Sequence, residues 1–182
     1  AALERINGKL VRPVLEEAEI VIATTKSYAL TSPILKDYLD KLRIVPNAVN
    51  VSLYPQVRKK ENYALYAGRM LSYKGVESLL FAMSEVQKSA DLDLVLVGDG
   101  YDRSRLEEMA KQLHVRAKFT GRLERSMFID TISRAEILVL PTQNRLEAFG
   151  IVLLEAMACE TPVLAFDTPG VNEVAENGGM VY

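Results

Sequence analysis

Two glutamates eight positions apart, Glu147 and Glu155, stand in the largely apolar run RLEAFGIVLLEAM (145–157). A carboxylate among side chains that favour burial is costly unless something pairs with it. Gly150 lies between them and would open the helix that carries Glu155. The free N–H groups of a helix's first turn, with the helix dipole, form an anion site, here at Phe149, Gly150, Ile151 and Val152. At a rise of about 1.5 Å per residue, Glu155 sits roughly one to one and a half turns beyond that start, so the two carboxylates cannot meet the same ligand atom. Acceptors at two depths beside an anion suit two hydroxyl-bearing groups, the layout of ribose, diphosphate and sugar. The plainer reading is a Glu favoured by the dipole and a second Glu on a wet helix face. Ile151, Val152, Leu153 and Leu154 in succession leave little wet face.

GRMLSYKG (68–75) offers a second set. Gly68 permits close approach of backbone to a ligand. Arg69 and Lys74 supply two cations that suit a diphosphate, Arg bidentately and Lys as a point charge. Solvated cations in a polar loop are the alternative. Gly98-Asp99-Gly100 invites a dinucleotide fingerprint, but Arg103 stands where the third glycine belongs. Lys118, not an acidic residue, lies about 20 positions on, so a tight strand-to-helix turn is expected instead. Asp91-Leu92-Asp93 spells a D-x-D but precedes a strand, at the wrong end of a sheet for a ligand, and two carboxylates are too few for a metal. The lone histidine, His114, closes a helical segment, and the lone cysteine, Cys159, reads as a small core residue. No nucleophilic triad and no metal cluster can be assembled from these residues.

These groups need strands and helices to hold them. Continuous Val/Leu/Ile runs predict strands at 64–69, 92–98, 117–121, 136–141, 161–166 and 178–182, with helices near 75–89, 103–113, 125–134, 150–159 and 170–176. Strands without polar alternation are buried on both faces, and βαβ alternation implies an α/β fold with a doubly wound parallel six-stranded sheet. Such sheets bind ligands beyond the carboxyl ends of their strands, where the residues above fall. Upstream, 19–24 and 42–46 read as short strands around a helix at 27–41. PNAVNVSLYPQVRKKEN (46–62) reads as a linker, with two prolines and little periodicity.

The chain has 182 residues, is 49% hydrophobic and carries a formal charge of −2. This is a globular composition with no electrostatic case for nucleic acid. One cysteine permits no internal disulfide and fits a reducing compartment. No apolar run approaches the roughly 20 residues that span a bilayer, and AALERINGKL has no hydrophobic signal core. A soluble cytoplasmic protein is the expectation, and the missing initiator methionine points to a fragment.

The run LEAFGIVLLEAMACETPVLAF, preceded by YAGRM…YKGVESLLFAM, LVLVGDG and FTGRL, resembles the nucleotide-sugar half of the retaining family 4 glycosyltransferases of GT-B fold, also called group 1 glycosyltransferases. The likeness covers about residues 62–182, with several motifs in the family's order and spacing. Residues 1–45 then resemble the tail of a Rossmann-like N-terminal acceptor domain, 46–62 the interdomain linker, and 63–182 the donor-binding domain without its closing C-terminal helices. IVPNAVN departs from the family's Pro-Asn-Gly-Val-Asp at Ala48 and Asn50.

The resemblance implies roles residue by residue. Arg69 and Lys74 would grip the donor diphosphate, with Gly68 letting backbone come close. Gly121, Arg122 and Leu123 would meet the nucleobase through main-chain groups. Glu147 would hydrogen-bond the donor sugar, the Phe149–Val152 amides would hold phosphate, and Glu155 would bind ribose hydroxyls. No cofactor and no metal are implied. The reaction would move a sugar from a nucleoside diphosphate donor with retention, by front-face attack. The acceptor, a sugar, lipid or other glycan, would be held by the missing N-terminal domain, so this chain alone should be inactive and the full-length protein could sit at a membrane surface. Competing readings are a nucleotide-sugar hydrolase or epimerase, a nicotinamide-binding oxidoreductase domain, and a non-catalytic binding module.

Overall fold

A computed structural model of the chain describes residues 2–54, 59–176 and 179–181. Among them, eight strands form two parallel sheets. The smaller pairs β1 (Val21–Ala23) with β2 (Leu42–Ile44). The larger contains β3 (Glu61–Ala67), β4 (Asp93–Val97), β5 (Ala117–Gly121), β6 (Ala135–Leu140), β7 (Val163–Ala165) and β8 (Gly179–Val181). Its order is β5-β4-β3-β6-β7-β8, all parallel, so the expected six-stranded doubly wound sheet is present. The winding reverses between β3 and β6, and a switch point of this kind opens a crevice at the strands' carboxyl ends.

Period-2 alternation along β3 divides the core. Leu65 and Ala67 face one side with Leu138, Leu140 and Val163, packed by α5 (Arg125–Arg134), α6 (Ile151–Ala158) and α7 (Val171–Ala175). Ala64 and Tyr66 face the other with Leu94 and Leu96, packed by α3 (Val76–Val86) and α4 (Arg103–Gln112). Leu65, Leu138 and Leu153 are fully buried. Truncating a leucine of this kind costs about 2–5 kcal/mol, so the strand ends that carry the candidate site are held by a well-packed two-sided core.

Three features depart from expectation. A helix, α1 (Ala2–Glu17), precedes the first strand, and its last carbonyls are capped by Lys41 Nζ, which reaches Leu15 O at 3.3 Å and Glu16 O at 2.7 Å. The helix expected over 27–41 is broken into α2 (Lys26–Thr31) and a 3-10 turn at Leu35–Tyr38. Pro33 drives Ser32 out of helical geometry (ψ 129°), and the Ser32 hydroxyl accepts the freed N–H groups of Ile34 and Leu35. Within 46–62, Val51–Leu53 form a 3-10 turn and Glu61 and Asn62 already belong to β3, while 55–58 lie outside the described residues. Gly178 and Tyr182 of the last expected strand also lie outside them. Among the described residues, no helix is long and apolar enough to cross a membrane.

Candidate functional site

At the carboxyl ends of β3, β4 and β6 lies an open cleft of about 470 Å³. It is lined by Gly68, Arg69, Lys74, Arg122, Leu123, Glu147, Gly150, Ile151, Val152 and Glu155. These come from three separate stretches of chain, 68–74, 122–123 and 147–155, and include all the expected site residues except Gly121 and Phe149. Phe149 is only 6% exposed and packs in the core. Gly121 is buried at the end of β5, with φ +74°, and its carbonyl accepts from Gly98 N at 2.8 Å. Neither residue is among those that line the cleft, and the expected roles of both rest on main-chain groups. Ala67, Val97, Gly98, Phe128 and Leu140 complete the lining.

Lys74 ends a 3-10 turn whose cap is Gly75 in left-handed conformation, φ +73°. A side chain at Gly75 would collide with the Pro141 carbonyl, so glycine fixes where the turn meets the loop after β6. That closeness brings Lys74 Nζ onto Glu147 Oε2 in a short ion pair, with the two side chains 12% and 17% exposed. Lys74 also lies 5.2 Å from the centre of the Tyr73 ring. The other Glu147 oxygen, Oε1, accepts the Gly150 N–H at 3.1 Å. Glu147 is thus already the anion at the start of α6, and one of the four expected amides is committed to it. The amides of Ile151 and Val152, in the first turn, have no intrahelical acceptor by position. Arg69 is exposed and donates to the Tyr73 hydroxyl at 3.0 Å. Beneath it, the buried Tyr66 hydroxyl donates to Arg69 O at 2.8 Å and fixes the loop, while burial pushes its pKa well above the ordinary tyrosine value.

Glu155, on α6, lines the same cleft. Its Oε1 accepts from Arg125 Nη1 at 2.5 Å and from the Tyr54 hydroxyl at 3.1 Å. Arg125 Nη2 also donates to the Tyr54 oxygen, and the guanidinium lies 5.2 Å from the Tyr54 ring centre and 5.9 Å from that of Phe128. Burial, reinforced by the Glu155 charge, raises the pKa of Tyr54, so its hydroxyl remains a donor. The Glu155 hydrogen bond raises that of Arg125. Sequence reasoning passed over both residues. Tyr54 lies in an aperiodic stretch and gave no signal. Arg125 did give one: a cation at the first position of a helix opposes the dipole and needs a nearby carboxylate.

The remaining candidates fall elsewhere. The Gly98-Asp99-Gly100 turn packs on chain, because side chains at Gly98 and Gly100 would strike the carbonyls of Gly68 and Met70. Asp91 and Asp93 lie at the far end of the sheet and both pair with Arg116, at 3.0 and 2.7 Å. His114 takes a left-handed conformation, φ 54°, just past α4. Cys159 is fully buried, and burial raises its pKa. Among the described residues, no three His, Cys, Asp or Glu side chains converge as a metal site.

The small sheet's α2 bears directly on the cleft's rim. Arg145, two residues before Glu147, donates from Nη2 to Tyr28 O at 2.9 Å and from Nη1 to the Thr31 hydroxyl, and lies 4.7 Å from the Tyr28 ring centre. At the other end of α2, Glu173 accepts the N–H groups of Lys26 (3.2 Å) and Ser27 (2.8 Å). Both ends of this helix are therefore satisfied by side chains more than a hundred residues away.

Residues 55–181 match the family model described as glycosyl transferases group 1. An alpha-D-kanosaminyltransferase of Streptomyces kanamyceticus is 38% identical over 117 residues, covering 63% of this chain and 30% of that protein. The O-antigen chain mannosyltransferase RfbU of Salmonella typhimurium is 34% identical over 161 residues, covering 86% of this chain and 45% of that protein. Among solved structures, sucrose-phosphate synthase from Thermosynechococcus elongatus superposes with a TM-score of 0.83 at 27% identity, over 97% of this chain and 48% of that one. Anabaena Alr3699/HepE in complex with UDP-glucose gives 0.79 at 19% identity, over 92% and 50%, a likeness of fold alone. The chain spans between about a third and a half of the length of these proteins.

Proposed function

The chain belongs to the group 1 glycosyltransferases, and we propose that it is the donor-binding part of a sugar transferase that uses a nucleoside diphosphate sugar. The observation that carries this reading is the convergence on one cleft of Arg69, Lys74, Glu147, the α6 N-terminus and Glu155. That set offers cations and amides for a diphosphate, with a carboxylate on either side for hydroxyl groups.

Lys74 and Glu147 neutralise each other in their ion pair. A diphosphate brings more negative charge than one carboxylate and competes for Lys74. Glu147, still holding the Gly150 N–H, is then released to accept from sugar hydroxyls. Arg69, Lys74 and the first-turn amides of α6 stabilise the charge that grows on the leaving diphosphate, which is the kind of preorganised electrostatic help a metal would otherwise give. The sugar is transferred with retention. An acceptor hydroxyl attacks the anomeric carbon from the face the diphosphate leaves, the carbon–oxygen bond to phosphate breaks, and the acceptor proton passes to a phosphate oxygen. Glu147 positions the sugar and forms no covalent bond. The acceptor is bound by a domain outside this chain, so the 182-residue chain binds donor without transferring it. Residues 1–45 are read as the end of that domain and 46–62 as the hinge between the two.

Titration calorimetry of UDP, GDP, ADP and NADH in EDTA, on the chain and its Lys74→Ala and Glu155→Ala variants, tests this. Binding of one nucleoside diphosphate without metal, weakened by both substitutions, is expected. Preferential NADH binding would overturn the reading in favour of an oxidoreductase domain.

A further inference from the structure

Glu155 is held asymmetrically. Two donors, Arg125 Nη1 at 2.5 Å and the Tyr54 hydroxyl at 3.1 Å, load the same oxygen, Oε1. Among the described residues, Oε2 takes no hydrogen bond, and the side chain is 12% exposed and lines the cleft. A carboxylate accepts through both oxygens, and with Oε1 held by protein donors, Oε2 is the oxygen that can accept from a ligand in the cleft.

The clamp joins a buried ring to an exposed cation, since the Arg125 side chain is 54% exposed. Tyr54 is 5% exposed, so its ring is fixed by the core. Arg125 bridges Tyr54 and Glu155 with two nitrogens and lies over the rings of Tyr54 and Phe128. Loading one oxygen from two directions sets both the plane of the carboxylate and which oxygen is left over. Arg125 achieves this from the first turn of α5, where its charge opposes the helix dipole. Such a placement is explained by what the guanidinium does for Glu155 and not by the helix.

We propose that Tyr54 and Arg125 are positioning residues that fix Glu155 through Oε1 so that Oε2 accepts from the ribose hydroxyls of a nucleoside diphosphate. This rests on the donor-binding reading above. It assigns the choice of ribose over a sugar lacking those hydroxyls to two side chains that do not touch the ligand, one of them from the stretch that joins the two sheets. The opposite arrangement is a gate, in which Arg125 occupies the acceptor that ribose needs and must leave. The two differ in sign.

The test is titration calorimetry of UDP, GDP and ADP, of the 2′,3′-dideoxy form of whichever binds best, and of inorganic pyrophosphate. It is run on the chain and on its Tyr54→Phe and Arg125→Met variants, which keep the ring and the apolar stem. The unsubstituted chain should prefer the ribonucleotide about ten- to a hundredfold, the range of one hydrogen bond to a charged group. Each variant should lose at least about threefold of that preference while pyrophosphate affinity stays unchanged. An equal loss for ribo and dideoxy forms, or a loss of pyrophosphate binding, would show a merely structural role and overturn the proposal. A preference that rises in Arg125→Met would overturn it in favour of the gate. If the unsubstituted chain binds no nucleotide, the donor-binding reading falls and this one with it. If it binds but the preference does not move, only the positioning role falls.

Discussion

Replacing Lys74 by methionine removes the cation from the most enclosed ion pair in the cleft. Its consequence depends on whether the pair behaves as a surface or a buried one. Exposed pairs contribute about 0–1 kcal/mol, whereas removing one partner of a buried pair costs about 3–5 kcal/mol by stranding the other charge. Lys74 and Glu147 are 12% and 17% exposed, close to the buried limit. The stranded Glu147 keeps its bond from Gly150 N and gains some water, which lowers the penalty. We expect Lys74→Met to destabilise the chain by about 2–3 kcal/mol at pH 7. At about 2–4 °C per kcal/mol for a chain of this size, Tm falls by roughly 4–12 °C. Glu147→Gln should cost a similar amount by stranding Lys74. The double variant should lose less than the sum of the singles by at least about 2 kcal/mol, because neither charge is then left alone. Urea denaturation monitored by circular dichroism, with an unchanged m-value, gives all three numbers. Single substitutions within about 0.5 kcal/mol of the parent, with additive effects, would refute the reasoning. The cleft would then hold two independently solvated charges, and a ligand would have no ion pair to open.

Other outcomes follow from neighbouring features. Gly98→Ala should destabilise by more than about 2 kcal/mol, because φ is +123° and the new Cβ would overlap the Gly68 carbonyl; thermal unfolding checks this. Burial pushes the Glu173 carboxyl up, but the Ser27 and Lys26 N–H groups outweigh it and the net pKa is lowered. Its stabilising contribution is therefore present above the unfolded value near 4.5 and is lost as pH falls through the lower folded value, so the stability gap between the parent and Glu173→Gln should close as pH falls below 4.5 in acid titrations. Arg145→Ala should lower hydrogen-exchange protection in both α2 and the loop carrying Glu147, since its guanidinium joins them; loss confined to one of the two would disprove the link. Nucleoside diphosphate affinity should be the same in EDTA and in millimolar magnesium, and a large magnesium requirement in calorimetry would contradict the diphosphate role given to Arg69, Lys74 and α6.

The parallel sheet was legible because its strands are buried on both faces, which leaves continuous Val/Leu/Ile runs at LDLVLVG and EILVLP. The two glutamates that line the candidate cleft were legible for the converse reason, charges where the pattern demanded apolar side chains. Where expectation failed, a local effect was underweighted or a distant one was invisible. Pro33 splitting the helix after α2 was readable from sequence and was missed, whereas the partners of Tyr54, Glu155 and Arg125, lie far from it in the chain.

The sequence by itself determined the strands of the large sheet, most of its helices, their order and the residue types that converge on the candidate cleft. These follow from hydrophobic periodicity, glycine placement and the handedness of βαβ crossovers, all of which are local or nearly so. The tertiary structure decided who pairs with whom: Lys74 with Glu147 across 73 residues, Arg125 with Glu155 across 30, Tyr54 with Glu155 across 101, and Glu173 with the start of α2 across 146. A side chain carries its charge in the sequence, but which opposite charge lies within about 3 Å of it is fixed only when the core on both sides of the sheet sets the strands in register.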